Sequence, residues 1–155
     1  PASRTTFTTA GTTIKVTAAT PATFNAAGYA ALSYTLIGEV TDLGEFGREY
    51  NLVTHNPIDN RGTVKKKGSF NEGQISLQLG LDTDDAGQII LKAASLSDAN
   101  YSFIVTTQNG DKYYFQAQVM SFKVGAGGVD QILAATVQLE LTTSSTGVGV
   151  VEVLA

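Results

Sequence analysis

The sequence predicts a mainly β fold, a sandwich or barrel-like sheet with one flanking helix. Three observations carry that reading. Charged residues make up only 15% of the 155, against about a quarter in average domains. Threonine and sixteen glycines take up the difference. Several stretches alternate apolar and polar side chains with period two, the mark of a strand with one buried and one wet face.

The elements follow in order. TTIKVTA (12–18) reads as a first strand, and FNAAGYAAL (24–32) as a short helical turn. SYTLIGEV (33–40) and REYNLVTH (48–55) read as strands on either side of TDLGEFG. Residues 56–72 show no periodicity and are broken by Pro57, Gly62 and Gly68. They predict a long inter-strand loop, and loops of that length are usually functional or mobile. In GQISLQLGL (73–81), Ile75, Leu77, Leu79 and Leu81 face inward while Gln74, Ser76 and Gln78 face out.

DTDDAGQIILKAASLS (82–97) supplies the one flanking helix, at about residues 83–96. Ala86, Ile89, Ile90, Ala93 and Leu96 or Ser97 form its apolar stripe. Asp84 or Asp85 caps its start, and Asp85 with Gln88 resembles a capping box. NYSFIVTT (100–107) and KYYFQAQVMSFKV (112–124) flank an Asn-Gly hairpin turn. The second of these changes phase near Val119 to Ser121, which predicts a β-bulge. GAGG (125–128) reads as a tight turn into the strongest strand, VDQILAATVQLEL (129–141). There Val129, Leu133, Ala135, Val137, Leu139 and Leu141 share one face. Residues 100–142 are therefore a three-stranded meander.

Residues 1–155 read as a single domain with an N-terminal arm (1–11) and a C-terminal arm (143–155). GVGVVEVLA (147–155) is apolar enough to need a partner surface. One helix covers one apolar face, so the rest of the sheet must meet another sheet or another subunit. A leading Pro fits trimming of an initiator Met before a small residue, which predicts a native start at Pro1, and the lack of an apolar run in the first residues argues against a retained signal peptide. No stretch approaches the roughly 18 apolar residues of a membrane helix.

Charge and motifs narrow the function. A net charge of -4 disfavours a general nucleic-acid binder. The absence of cysteine removes disulfides and thiolate metal sites. His55 is the one histidine and has no nucleophile motif to serve. Asp82 and Asp84 fit the first two ligand positions of a calcium loop, but Ala86 and Ala93 fill later ones. The glycines of VGAGGVD (124–130) precede a strand where a phosphate loop needs a helix. Asn100-Tyr101-Ser102 matches a glycosylation sequon, which carries little without a secretion signal. Nothing here specifies an enzyme, a cofactor or a metal. The most basic stretch is NRGTVKKKGSF (60–70), where Arg61, Lys65, Lys66 and Lys67 supply four of the ten Lys and Arg residues. A solvated loop, a subunit contact and a DNA contact all fit it.

The order of these motifs resembles a tail tube (major tail) protein of a long-tailed, non-contractile bacteriophage, a siphophage. The resemblance runs over about residues 30–142. It rests on Ile37-Gly38-Glu39-Val40, then Leu43-Gly44, the long loop, and Gly73-Gln74-Ile75-Ser76-Leu77. Asp82, Ala86-Gly87-Gln88, Asn109-Gly110-Asp111 and the strand Val129 to Leu141 complete it. The resemblance implies a β-sandwich with one flanking helix, assembled into hexameric rings whose strands form a continuous barrel. Rings stack into a tube that encloses the tape measure protein and later conducts DNA without binding it specifically. Tail terminator and distal tail proteins are the implied partners, and the virion, assembled in the host bacterial cytoplasm, is the implied location.

In that scheme the long loop and the arms bridge neighbouring subunits and rings. Arg61, Lys65, Lys66 and Lys67 then become contact residues, with Asp82, Asp84 and Asp85 as charge partners. Glu39, Asp42, Glu45, Glu49 and Glu72 become lumen carboxylates. The alternatives are a capsid decoration protein, which would not need the long loop, and a secreted β-sandwich binding module. A carbohydrate-binding module usually presents aromatic platforms, and this chain has no tryptophan.

Overall fold

The computed structural model describes residues 6–155. In chain order the elements are β1 (Thr13–Thr17), α1 (Ala26–Ala30), β2 (Thr35–Leu36), β3 (Val40–Asp42), β4 (Glu49–His55), β5 (Val64–Asn71) and β6 (Gln74–Gly80). α2 (Ala86–Ser95), β7 (Tyr101–Thr106), β8 (Lys112–Gly125), β9 (Ala134–Thr142) and β10 (Val151–Val153) follow. Seven strands pair in the order β2-β1-β7-β8-β9-β6-β3, and β10 adds to β8 to make an eight-stranded sheet. The sheet curls into a half-barrel. β4 and β5 form a separate two-stranded ladder.

Period two decides the interior. Ile75, Leu77 and Leu79 of β6 are buried, as are Ala135, Val137, Leu139 and Leu141 of β9. They meet Phe103 and Val105 of β7, Phe115 and Ala117 of β8, and Leu91 and Ala94 of α2 in one core. Phe103 and Phe115 stack with centroids 5.4 Å apart. The meander β7–β8–β9 is continuous and antiparallel, with a register shift between Val119 and Ser121. That is the bulge the phase change predicts.

β7 is buried on both faces, because α1 covers the side that α2 does not. Tyr29 of α1 stacks on Tyr114 of β8 at 5.5 Å, with Ile104 beside them. The single flanking helix of the sequence reading therefore becomes two. Asn25 caps α1 by accepting from the Gly28 N–H at 2.8 Å.

α2 is shorter than residues 83–96 and turned relative to the expected stripe. Gly87, Gln88, Leu91 and Ala94 are its buried residues, while Ile89 and Leu96 lie in solvent. The reason is close docking. A Cβ on Gly87 would sit 2.3 Å from the Leu36 carbonyl oxygen. Gln88 donates to the carbonyls of Gly38 and Gly80 at 3.1 and 2.9 Å and accepts from the Asp82 N–H at 2.9 Å. A polar side chain thus faces inward as a clamp, which an apolar-stripe argument cannot anticipate.

Three further expectations change. Strand 33–40 is broken into β2 and β3, and Glu39 between them takes φ 61. The strand placed at 129–141 begins at Ala134, so GAGG is part of a longer connection and Val129 is fully exposed, with Leu133 partly so. The C-terminal arm finds its partner in its own chain: β10 pairs with Lys112 to Tyr114 of β8, and Val150 joins the main core.

The fourth change matters most. Only residues 56–63 of the expected 56–72 loop are a loop: from Val64 the chain forms β5, paired with β4 from Glu49↔Asn71 to His55↔Val64. This ladder extends the β3–β6 ladder outward. Val40 faces Leu79 and Asp42 faces Gln78, and the Gly47 N–H then donates to the Glu72 carbonyl at 3.3 Å. Gly73, at φ 92, still accepts from Leu141 of the sheet before the chain turns out. One long hairpin therefore bends at residues 44–48 and 72–73. Its inner half belongs to the half-barrel and its outer half leaves it.

Candidate functional site

The outer half of that hairpin is the feature without a role inside the chain. Every residue of β4 is exposed, and Leu52, Val53, Ile58 and Val64 stand in solvent. β-Sheet pairing here leaves both faces uncovered. A two-stranded hairpin is marginally stable alone in water.

Its base is held by a cluster at the bend. Glu72 is buried, with 3% of its side chain exposed, and its Oε1 accepts from both Nε and Nη2 of Arg48 at 2.9 Å. A buried carboxylate needs such a partner, since an unpaired charge away from water is costly. The Arg48 guanidinium lies 3.8 Å over the Phe70 ring, Tyr50 packs edge-on against Phe70, and the Lys67 ammonium sits 4.8 Å over Tyr50. These cation–π contacts and the ion pair join the two strands where they leave the sheet. Val150 closes over the same site, and a Cβ on Gly149 would strike the Glu72 carboxylate.

The structure sorts the residues that the sequence singles out. Lys65, Lys66 and Lys67 lie on β5 and Arg61 in the hairpin tip, all exposed. Strand alternation splits them: Lys65 and Lys67 share a face with Leu52, and Lys66 shares the other with Val53. Among the charge partners, Asp82 and Asp84 are exposed. Asp85 is not free to leave its place. It caps α2, accepting from Gln88 N–H at 3.0 Å and from Gly38 N–H at 3.1 Å.

Of the five carboxylates assigned to a lumen, Glu39 before β3, Asp42 at its end, Glu45 in the bend and Glu49 at the start of β4 are exposed. Asp42 also accepts from the Gly44 N–H at 2.8 Å. Glu72 is removed from that set, because burial and the Arg48 pair turn it inward. His55 is exposed on β4 opposite Val64. Among the described residues no group of three or more His, Asp or Glu side chains is placed to hold a metal ion. No helix among them is long and apolar enough to cross a membrane.

Sequence reasoning missed Arg48, Tyr50 and Phe70, and it missed the hairpin itself. The available signal was glycine placement. Gly44, Gly47 and Gly73 stand nearly opposite one another around the bend, and Gly44 and Gly73 take φ between 70° and 95°, a region that side chains avoid.

The fold has known counterparts. One is a protein of the anti-feeding prophage (AFP) baseplate, solved by cryo-EM with six-fold symmetry; it is 10% identical over 97% of both chains, with a TM-score of 0.68. The chain shares a tail-tube fold. The SPP1 tail tube, a hybrid of solid-state NMR and cryo-EM, shows this at 16% identity and a TM-score of 0.64, over 91% of this chain and 75% of that one. No protein-family model and no curated protein matches the sequence.

Proposed function

We propose that the protein is a structural subunit of a phage tail tube. Copies join through sheet edges into hexameric rings, and rings stack by way of the projecting hairpin. The tube encloses a tape measure protein and afterwards conducts DNA, with tail terminator and distal tail proteins at its ends. It is built in the host bacterial cytoplasm and carried in the virion. The observation that carries this reading is the uncovered hairpin on a fold that a tail tube also uses. A segment with both faces in water and several exposed apolar side chains is accounted for by a second chain covering it.

Two features support the closure of rings. The half-barrel is open, ending at β2 and β3, each only two or three residues long. Strand edges with unpaired backbone groups invite pairing with another chain, and a closed barrel removes them. The six-fold symmetry of the baseplate neighbour suggests the ring size. Charge supports the cargo. Glu39, Asp42, Glu45 and Glu49 are all exposed between residues 39 and 49, and exposed carboxylates do not grip phosphates.

Electron microscopy of the concentrated protein tests the proposal. The expected result is rings or smooth hollow tubes whose end views average with six-fold symmetry. Tubes that average only with another symmetry would remove the hexamer, and a protein that stays monomeric even when seeded with preformed tail tips would remove the tube.

A further inference from the structure

The end of the molecule opposite the hairpin carries an apolar groove. The outer face of α2 leaves Ile89 and Leu96 uncovered, 54% and 88% exposed. With Leu81, Phe122 and Val124 they line a trough of about 360 Å³. Asp82 and Lys92 stand on its walls, and Asp84 follows two residues on from Asp82. Val129 and Ile132, also exposed, belong to the β8–β9 connection at this same end, since Gly80 and Gly125 both pair with Ala134.

β6 fixes how the two features relate. The hairpin joins β6 at its start, Gln74, and the groove follows its end, Gly80. Seven residues at about 3.3 Å each separate them by roughly 20 Å. The hairpin ladder leaves that strand at the end away from the groove. One copy can therefore offer a tip at one end and a groove at the other.

Their chemistry is complementary. The tip presents Ile58, fully exposed, between Pro57 and Asp59. Between residues 50 and 70 there are four basic side chains, Arg61, Lys65, Lys66 and Lys67, against one acidic, Asp59. The groove offers an apolar floor for an isoleucine, the exposed Asp82 carboxylate on its wall with Asp84 beside it for the tip's cations, and Lys92 for Asp59. We propose that the hairpin tip, led by Ile58, docks in the α2–β8 groove of a second copy, head to tail. A contact between two different surfaces of one chain does not saturate in a pair; it closes into a ring or runs on as a filament according to the rotation between copies. This rests on the tube-subunit reading and names the surface that receives the hairpin.

The chain has no cysteine, which gives a direct test. Two single variants, Ile58→Cys and Leu96→Cys, each alter a side chain that packs on nothing in the monomer. They are mixed at assembling concentration, oxidised, and digested, and the disulfide-linked peptides are counted by mass spectrometry. The expected result is that the 58–96 link outnumbers the 58–58 and 96–96 links at least tenfold, and that each variant alone crosslinks poorly. A random distribution of links overturns the docking. Micrographs of the same mixture under reducing conditions separate the two claims. Tubes with a random link pattern overturn the groove and leave the tube, whereas a dominant 58–96 link without tubes keeps the docking and removes the tube.

Discussion

Two antiparallel ladders in this molecule have similar backbones and opposite surroundings. β8–β9 runs between α2 and the other strands, and alternate residues of β9 vanish from solvent. β4–β5 pairs just as regularly, yet no residue of β4 is buried. The difference shows that ladder hydrogen bonds define a hairpin's shape while side-chain burial supplies its stability. The net contribution of one such bond is only about 1 kcal/mol, whereas a buried Leu or Phe contributes about 1.5–3 kcal/mol. One ladder is covered within the chain, and the other is not.

The largest way to break the comparison is in the covered half. Phe115→Ala removes a fully buried ring stacked on Phe103, and truncations of that kind cost about 3–5 kcal/mol. Denaturant titration should show the unfolding free energy falling by that much; a loss below about 1 kcal/mol would mean the core is not where the stability lies.

A smaller effect comes from alkali. Burial pushes the Tyr29 hydroxyl up to about 12 from its ordinary 10, and Tyr34 and Tyr114 are raised as well. The folded chain holds these protons more tightly than the unfolded chain. Stability is therefore complete below pH 10 and is lost as pH rises towards 12, by on the order of 2 kcal/mol for Tyr29. Tyr29→Phe should flatten that decline in thermal melts between pH 9 and 12, and an unchanged slope would exclude Tyr29 as its source.

The smallest effect on the monomer falls on the exposed hairpin. Replacing Lys65, Lys66 and Lys67 together by Ala should move monomer stability by less than about 0.5 kcal/mol at Lys65 and Lys66 and by about 0.5–1 kcal/mol at Lys67, which lies over Tyr50, while tube yield drops severalfold in sedimentation. Normal tube yield with altered DNA release would instead assign the lysines to DNA.

Legibility in the sequence tracks burial. Ile75, Leu77 and Leu79, and Ala135 through Leu141, announce their strands because one face must be apolar. The bulge at Val119 to Ser121 is readable for the same reason, as the apolar parity switches there. Val64 through Asn71 carry no such signal, since neither face meets a core, and their lysines and glycine read as a loop, whereas the equally exposed β4 still reads as a strand from its own residues. Gln88 misleads in the opposite sense, being polar and yet buried by three hydrogen bonds.

The candidate site was legible only in its charges. Arg61 and the three lysines stand out in any acidic chain, but the Arg48–Glu72 pair joins residues 24 apart in sequence, and no local pattern marks it. By itself the sequence determined the mainly β class, the meander and the acidic N-cap of α2, because these follow from local periodicity and short-range hydrogen bonding. Only the tertiary structure decided that Glu72 turns inward, that the C-terminal arm closes on β8, and that a stretch without periodicity is a projecting hairpin. Those outcomes depend on which distant surfaces come together, and burial by distant residues leaves no local trace.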